Sequence, residues 1–162
     1  MTESEIIALI QDICAGQQES VSLELKRKWW DMKTPGGLAE FIKDIGAMAN
    51  ADTSDDRRIL VGISPNGDVH DSPLPDDESR LQQRLLAITP VPHVRFSQVR
   101  ISASSATITI IEILGPFDKP YVVKDANKNV IYLRLGSSTS TATRRHLDNW
   151  YSEKVARAEL YM

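Results

Sequence analysis

One cysteine, Cys14, in 162 residues excludes a disulfide framework, and its position in an apolar helical pattern predicts a buried packing thiol. Aromatic residues make up only 6% of the chain, so the adjacent Trp29 and Trp30 form a concentration expected near a functional surface or an interface. No apolar run approaches the roughly 20 residues of a membrane span, and the opening Met1-Thr-Glu-Ser-Glu5 is acidic where a secretory leader is basic. A soluble cytoplasmic protein without membrane association is expected. A basic excess is missing too: 19 Lys and Arg against 22 Asp and Glu leave a formal charge of −3. Dedicated nucleic-acid binders normally carry the opposite sign, so any such activity must rest on a local basic patch. Gly36-Gly37 lacks the Gly-Lys-Ser/Thr ending of a Walker-type loop, so no nucleotide cofactor is expected. His70, His93 and His146 have no metal-ligand spacing, and Ser20, Ser22 and Ser64 have no identifiable His and Asp partners for hydrolase chemistry.

What is present reads as one ordinary domain spanning residues 1–162. Glu5 to Ala15 has helical apolar spacing, with Gly16 placed to end it. Val21 to Lys26 alternates like a strand, putting Val21, Leu23 and Leu25 on one face and Ser22, Glu24 and Lys26 on the other. The stripe Leu38, Phe41, Ile42, Ile45, Met48, Ala49 predicts a helix ending near Asn50. Ile59 to Ile63 is a continuous apolar run suited to a strand buried on both faces, followed by the turn Pro65-Asn66-Gly67-Asp68. Asp76 to Ile88 reads as a third helix. From Val94 the period becomes two, giving strands over Val94–Ile101 and Ala106–Leu114, then a hairpin of Tyr121–Lys124 with Val130–Leu135. Thr141 to Leu160 reads as a closing helix with Thr139 or Ser140 as its N-cap. This order predicts an α+β fold in which helices flank a mixed, mostly antiparallel sheet.

Three groups of residues carry candidate chemistry. Glu19 and Glu24 put two carboxylates at one end of a strand, able to hold Mg²⁺ or Mn²⁺ and activate water against a phosphodiester. The plainer alternative is that Glu24 pairs with Lys26 while Glu19 caps a loop. Lys26, Arg27 and Lys28 run into Trp29 and Trp30, and cations beside indoles suit phosphates and stacked bases of RNA or other single strands. Against this, one Trp belongs to the core and the other to an oligomer contact. Arg134 with Ser137 and Ser138, ahead of a helix that carries Arg144 in its first turn, offers a third anion site or an ordinary cap.

Five segments in a fixed order carry a resemblance: Glu24-Leu25-Lys26, Ala47-Met48-Ala49-Asn50, Leu60-Val61-Gly62-Ile63, Ile88-Thr89-Pro90, and Tyr132-Leu-Arg134-Leu-Gly136-Ser-Ser-Thr139. Together, over about residues 19–143, they resemble the Schlafen AlbA-type domain, also described as a divergent AAA-type or DNA-binding domain. The resemblance implies nucleic-acid binding, and, by analogy with Schlafen ribonucleases, a metal-dependent endoribonuclease site of three acids with Glu19 and Glu24 as the pair. In those enzymes an Asp follows the Gly-Val strand; here Ser64 stands near that place, so the third acid is missing or must come from Asp68. The loop Ala51-Asp-Thr-Ser-Asp-Asp56 also lacks the family's usual Gly pair. The alternative is a catalytically inactive regulatory or protein-interaction subunit that keeps the fold. Schlafen proteins set two copies of this domain around a positive groove, which implies that a chain with one copy works as a homodimer.

Overall fold

A computed structural model describes residues 1–161. Helix α1 (Glu3–Cys14) starts where the Thr2 hydroxyl accepts the Glu5 N–H at 3.2 Å, and it buries Ile6 and Ile13. After Gly16, which takes φ +114°, the chain enters strand β1 (Leu23–Lys26). Helix α2 (Pro35–Ala49) has Thr34 as its N-cap and carries the chain to β2 (Arg57–Val61). The β1–α2–β2 unit makes a parallel pair, with Glu24 opposite Ile59 and Lys26 opposite Val61. Two long antiparallel strands, β4 (His93–Ile101) and β5 (Ala106–Leu114), complete a four-stranded sheet in the order β1-β2-β5-β4.

The period-two pattern sorts this sheet into two faces. Leu25, Leu60, Ile108 and Ile110 point toward α1, where they pack with Ile6 and Ile13. Ile59, Val61, Phe96 and Ile111 point toward α2 and meet Phe41, Ile45 and Met48. All of Ile59, Leu60 and Val61 have no exposed surface, as expected for a strand covered on both sides. Alternation along β1 puts Glu24 and Lys26 together on the α2 face.

Helix α3 (Glu78–Arg84) is shorter than its apolar spacing predicts: a 3₁₀ turn over Leu85–Ala87 ends it, and Ile88 enters the short strand β3 (Ile88–Thr89). The predicted hairpin also divides. β6 (Val122–Asp125) pairs with β7 (Lys128–Val130) across a turn at Ala126 and Asn127, whereas β8 (Tyr132–Leu135) pairs with β9 (Ser138–Thr141). The small polar residues of β9 read as a helix cap but form a strand. The last helix, α4 (Arg144–Leu160), accordingly starts later, with Thr143 as N-cap and its N–H donating to His146 Nδ1 at 3.1 Å. Cys14 is exposed rather than buried, because Ile6 and Ile13 take the inner positions of α1; its Sγ lies beside the Asn66 carbonyl at 3.9 Å.

Asn50 joins α2 to the smaller sheets. Its Nδ2 donates to the Tyr121 and Tyr132 carbonyls at 2.9 and 2.7 Å, and its Oδ1 accepts the Tyr121 N–H at 2.7 Å. Fully buried, it satisfies three backbone groups of the segments that follow, which gives the Ala-Met-Ala-Asn segment a structural role. Arg57 does similar work at the same helix end. Its guanidinium donates to the Met48 carbonyl at 3.2 Å and stacks 3.5 Å from the centre of the Phe117 ring, placing a cation at the negative end of α2.

Candidate functional site

β1 is an edge strand, and side chains rather than another strand close its open side. Ser22 and Lys26 bond toward β2 through their carbonyls, so the backbone groups of Leu23 and Leu25 face outward. Glu19 Oε1 accepts the Leu25 N–H at 2.7 Å. Arg134, from β8, donates to the Leu23 carbonyl at 3.2 Å and twice to the Ser20 carbonyl, at 3.2 and 2.8 Å. Two charged residues thus stand in for the missing neighbour strand.

From this edge a compact charge cluster extends toward α2. Glu24, buried, accepts from Arg134 Nη1 at 3.1 Å through one carboxylate oxygen and pairs with Lys26 Nζ at 3.2 Å through the other. Lys26 also bridges to Asp44 of α2 at 3.0 Å, and Asp44 accepts the Trp30 indole N–H at 2.8 Å. Lys26 Nζ sits 5.1 Å from the centre of the Trp30 ring. Two acids and two bases balance. Burial raises the Glu24 pKa first and the like charge of Asp44 adds to this, against the opposing pull of Lys26 and Arg134. Burial opposes the Lys26 ammonium, but Asp44 and Glu24 outweigh it and hold its pKa above the usual lysine value.

Asp44 and Arg57 escape sequence reading. The signal for Asp44 was present, since it lies three residues after Phe41 and four before Met48, on the buried stripe of α2, where an acid requires a partner. Arg57 gives no such signal, because its role depends on where α2 ends in space.

A divalent ion does not fit the expected acids. Both oxygens of Glu24 are engaged by cations, and Glu19 Oε1 is committed to a backbone amide. Asp68 lies elsewhere. Its turn is tied by Gly67 N–H to the Ser64 carbonyl and rests against Cys14 of α1, on the sheet face opposite Glu24. No group of three or more His, Cys, Asp or Glu able to hold a metal ion occurs among the described residues. The Asp68 turn fails to reach Glu24 because the parallel β1–β2 pair carries the chain past the sheet to the α1 side before it turns.

The other predicted residues divide into committed and exposed. Arg134 is 2% exposed and spent on β1, so it is a structural residue rather than a surface ligand for phosphate. Trp29 and Trp30 pack edge to face with centroids 5.8 Å apart, both against Phe41, and Trp29 Nε1 donates to the Ser72 carbonyl at 3.3 Å. Both rings pack against the core while staying partly exposed. Arg27 and Lys28 are exposed where β1 ends. Ser137 lies in the exposed β8–β9 turn and Ser138, also exposed, begins β9; Arg144 is almost fully exposed in the first turn of α4, with Asp148 at 3.8 Å.

No helix among the described residues is long and apolar enough to cross a membrane. No curated protein matches the chain. Among solved structures, the DIP2311 protein from Corynebacterium diphtheriae, a Northeast Structural Genomics Consortium target, is similar with a TM-score of 0.58 at 17% identity. The likeness covers 93% of this chain and 32% of that one, so the chain spans about a third of the length of the protein it matches, and at this identity it speaks for the fold alone. The family pattern "Schlafen, AlbA_2" matches residues 19–143. Glu24 and Lys26 of the first motif meet Arg134 of the last in one buried cluster, and the match spans both: the chain belongs to the Schlafen AlbA_2 family.

Proposed function

We propose that this domain binds single-stranded nucleic acid, RNA foremost, through its phosphates, and that it does so without cutting the strand. One observation carries the reading. Arg27, Lys28 and Lys33 are exposed within seven residues between β1 and α2, and none has an acidic partner among the described residues, although Lys26 beside them is fully engaged. Asp31, within the stretch, directs a carboxylate oxygen to the Lys33 N–H at 3.1 Å. Three free cations next to a helix N-terminus form the local patch that an acidic chain needs to attract phosphate. Family membership supports the same class of ligand. The engagement of Glu24 by Lys26 and Arg134 argues for binding in place of metal-assisted hydrolysis.

Gel-shift titration with labelled transfer RNA and with a single-stranded oligonucleotide tests the reading. Three phosphate contacts to a single strand predict a slope of about −2 in log affinity against log salt. Changing Arg27→Glu and Lys28→Glu together should abolish binding, and retained, salt-insensitive affinity would refute the patch. Incubation of the same RNA with Mg²⁺, with Mn²⁺ and with EDTA should leave it intact in all three. Metal-dependent cleavage lost in Glu24→Gln would restore the endoribonuclease reading.

A second reading concerns assembly. Tyr151 and Val155 of α4 are more than half exposed, and Leu160 and Tyr161 more so, which suits a self-association that would bring two cationic patches into one particle. Light scattering at micromolar concentration should give twice the monomer mass, and a monomer throughout would exclude it.

A further inference from the structure

We infer that the groove between the first half of α2 and the β6–β7 hairpin is a pocket for one unpaired nucleobase. This deepens the nucleic-acid reading and rests on it. The groove holds about 420 Å³, within the range of pockets that bury a small ligand. Its shape follows from one contact. At Gly46 the helix comes so close to β6 that an added Cβ would stand 2.7 Å from Val123 Cγ2, and from this closed end α2 and the hairpin diverge toward Pro35 and Ala126.

The lining selects for a planar, neutral, hydrogen-bonding ligand. Leu38, Ile42 and Val123 make apolar walls, and Tyr132 supplies an aromatic one, with Lys43 Nζ 5.5 Å from its ring centre and its hydroxyl 3.4 Å from Asp125. The rim carries two donors, Lys43 and Lys124, and two acceptors, Glu40 and Asp125, so its net charge is zero. A phosphate would gain little from a neutral rim. A base fits all of it: flat faces for the walls, and an edge with both donors and acceptors for the mixed rim. Ala126, which also lines the groove, takes φ +52° as the first residue of the two-residue turn between β6 and β7, and that tight turn sets where the hairpin ends beside the groove.

Position links the pocket to the cationic patch. Pro35 lines the groove two residues after Lys33, so a strand whose phosphates lie along Arg27, Lys28 and Lys33 passes the mouth of the groove within one nucleotide's reach. The patch then supplies affinity and the pocket supplies selection for an unpaired base.

The test uses the full chain, an eight-nucleotide oligoadenylate, the same oligomer with its bases replaced by abasic sites, and free adenosine and guanosine. The abasic oligomer should bind about tenfold or more weakly, with the salt slope unchanged. Ala39→Trp, at an exposed helical position on the groove wall, should lower oligoadenylate affinity similarly while circular dichroism stays native. Free nucleosides should shift the amide resonances of residues 123–126, and Ala39→Trp should remove those shifts. An abasic oligomer that binds as well as its parent, or a folded Ala39→Trp variant of unchanged affinity, overturns the pocket and leaves the phosphate patch standing. If no oligomer binds, the nucleic-acid reading fails first, and the nucleoside shifts still decide the groove: their presence upholds it and their absence overturns it.

Discussion

Lys26 stands between two acids that would otherwise repel each other across the β1–α2 junction. Replacing it by Met keeps the stem that packs beside Trp30 and removes the bridging charge, leaving Glu24 with Arg134 alone and Asp44 with no cation. Breaking such a pair at a partly buried site should cost about 3 kcal/mol near neutral pH. The sign of the pH dependence comes from the shifts. The Lys26 pKa lies above its unfolded value, so its contribution is complete below the unfolded lysine pKa and is lost only as alkaline pH passes the folded one. The Glu24 pKa is also raised, so the fold favours its protonated form, and that contribution fades as pH rises through the folded value. With Lys26 gone Glu24 moves further up. Lys26→Met should therefore lose less stability at pH 4.5 than at pH 7, as read from urea midpoints at both; an equal loss at the two pH values would mean that charge is not what the residue supplies.

Helix α2 and strand β6 meet at Gly46 with no room for a methyl group. Gly46→Ala gains helix propensity of about 1 kcal/mol, but it drives a carbon into Val123, and overpacking of this kind costs about 1–3 kcal/mol. The net expectation is a lower thermal midpoint, with part of it recovered in the double variant that adds Val123→Ala; recovery in the double variant identifies the contact as the cause. Elements were readable in the sequence in proportion to how far their own pattern decided them. The apolar stripe of α2 and the long alternations of β4 and β5 specify themselves. β9 does not, since Ser138 to Thr141 has no apolar face and becomes a strand only because β8 lies beside it. The candidate site divides the same way. The facing of Glu24 and Lys26 to one side follows from alternation within β1, whereas the arrival of Asp44 and Arg134 depends on contacts 18 and 110 residues apart in sequence, for which local pattern holds no information.

As a whole, the molecule is firm around its four-stranded sheet and looser at its C-terminal end. α4 buries a single residue, Trp150, against Lys119, whose ammonium lies 6.0 Å from the indole, and adds one ion pair, Lys154 to Asp118 at 2.8 Å. Trp150→Ala should release this helix without unfolding the rest. Hydrogen exchange would show it directly: α4 amides should lose protection while β5 amides keep theirs, and parallel loss in both would show that α4 is integral to the core. The closure of β1 by Glu19 and Arg134 has its own effect at this scale. A sheet that polymerises edge to edge needs two usable sides on every unit, and this one offers only β4, itself partly occupied where Gln82 Nε2 donates to the Val94 carbonyl at 2.7 Å. With a valence of one, joining through this sheet ends at a pair of copies.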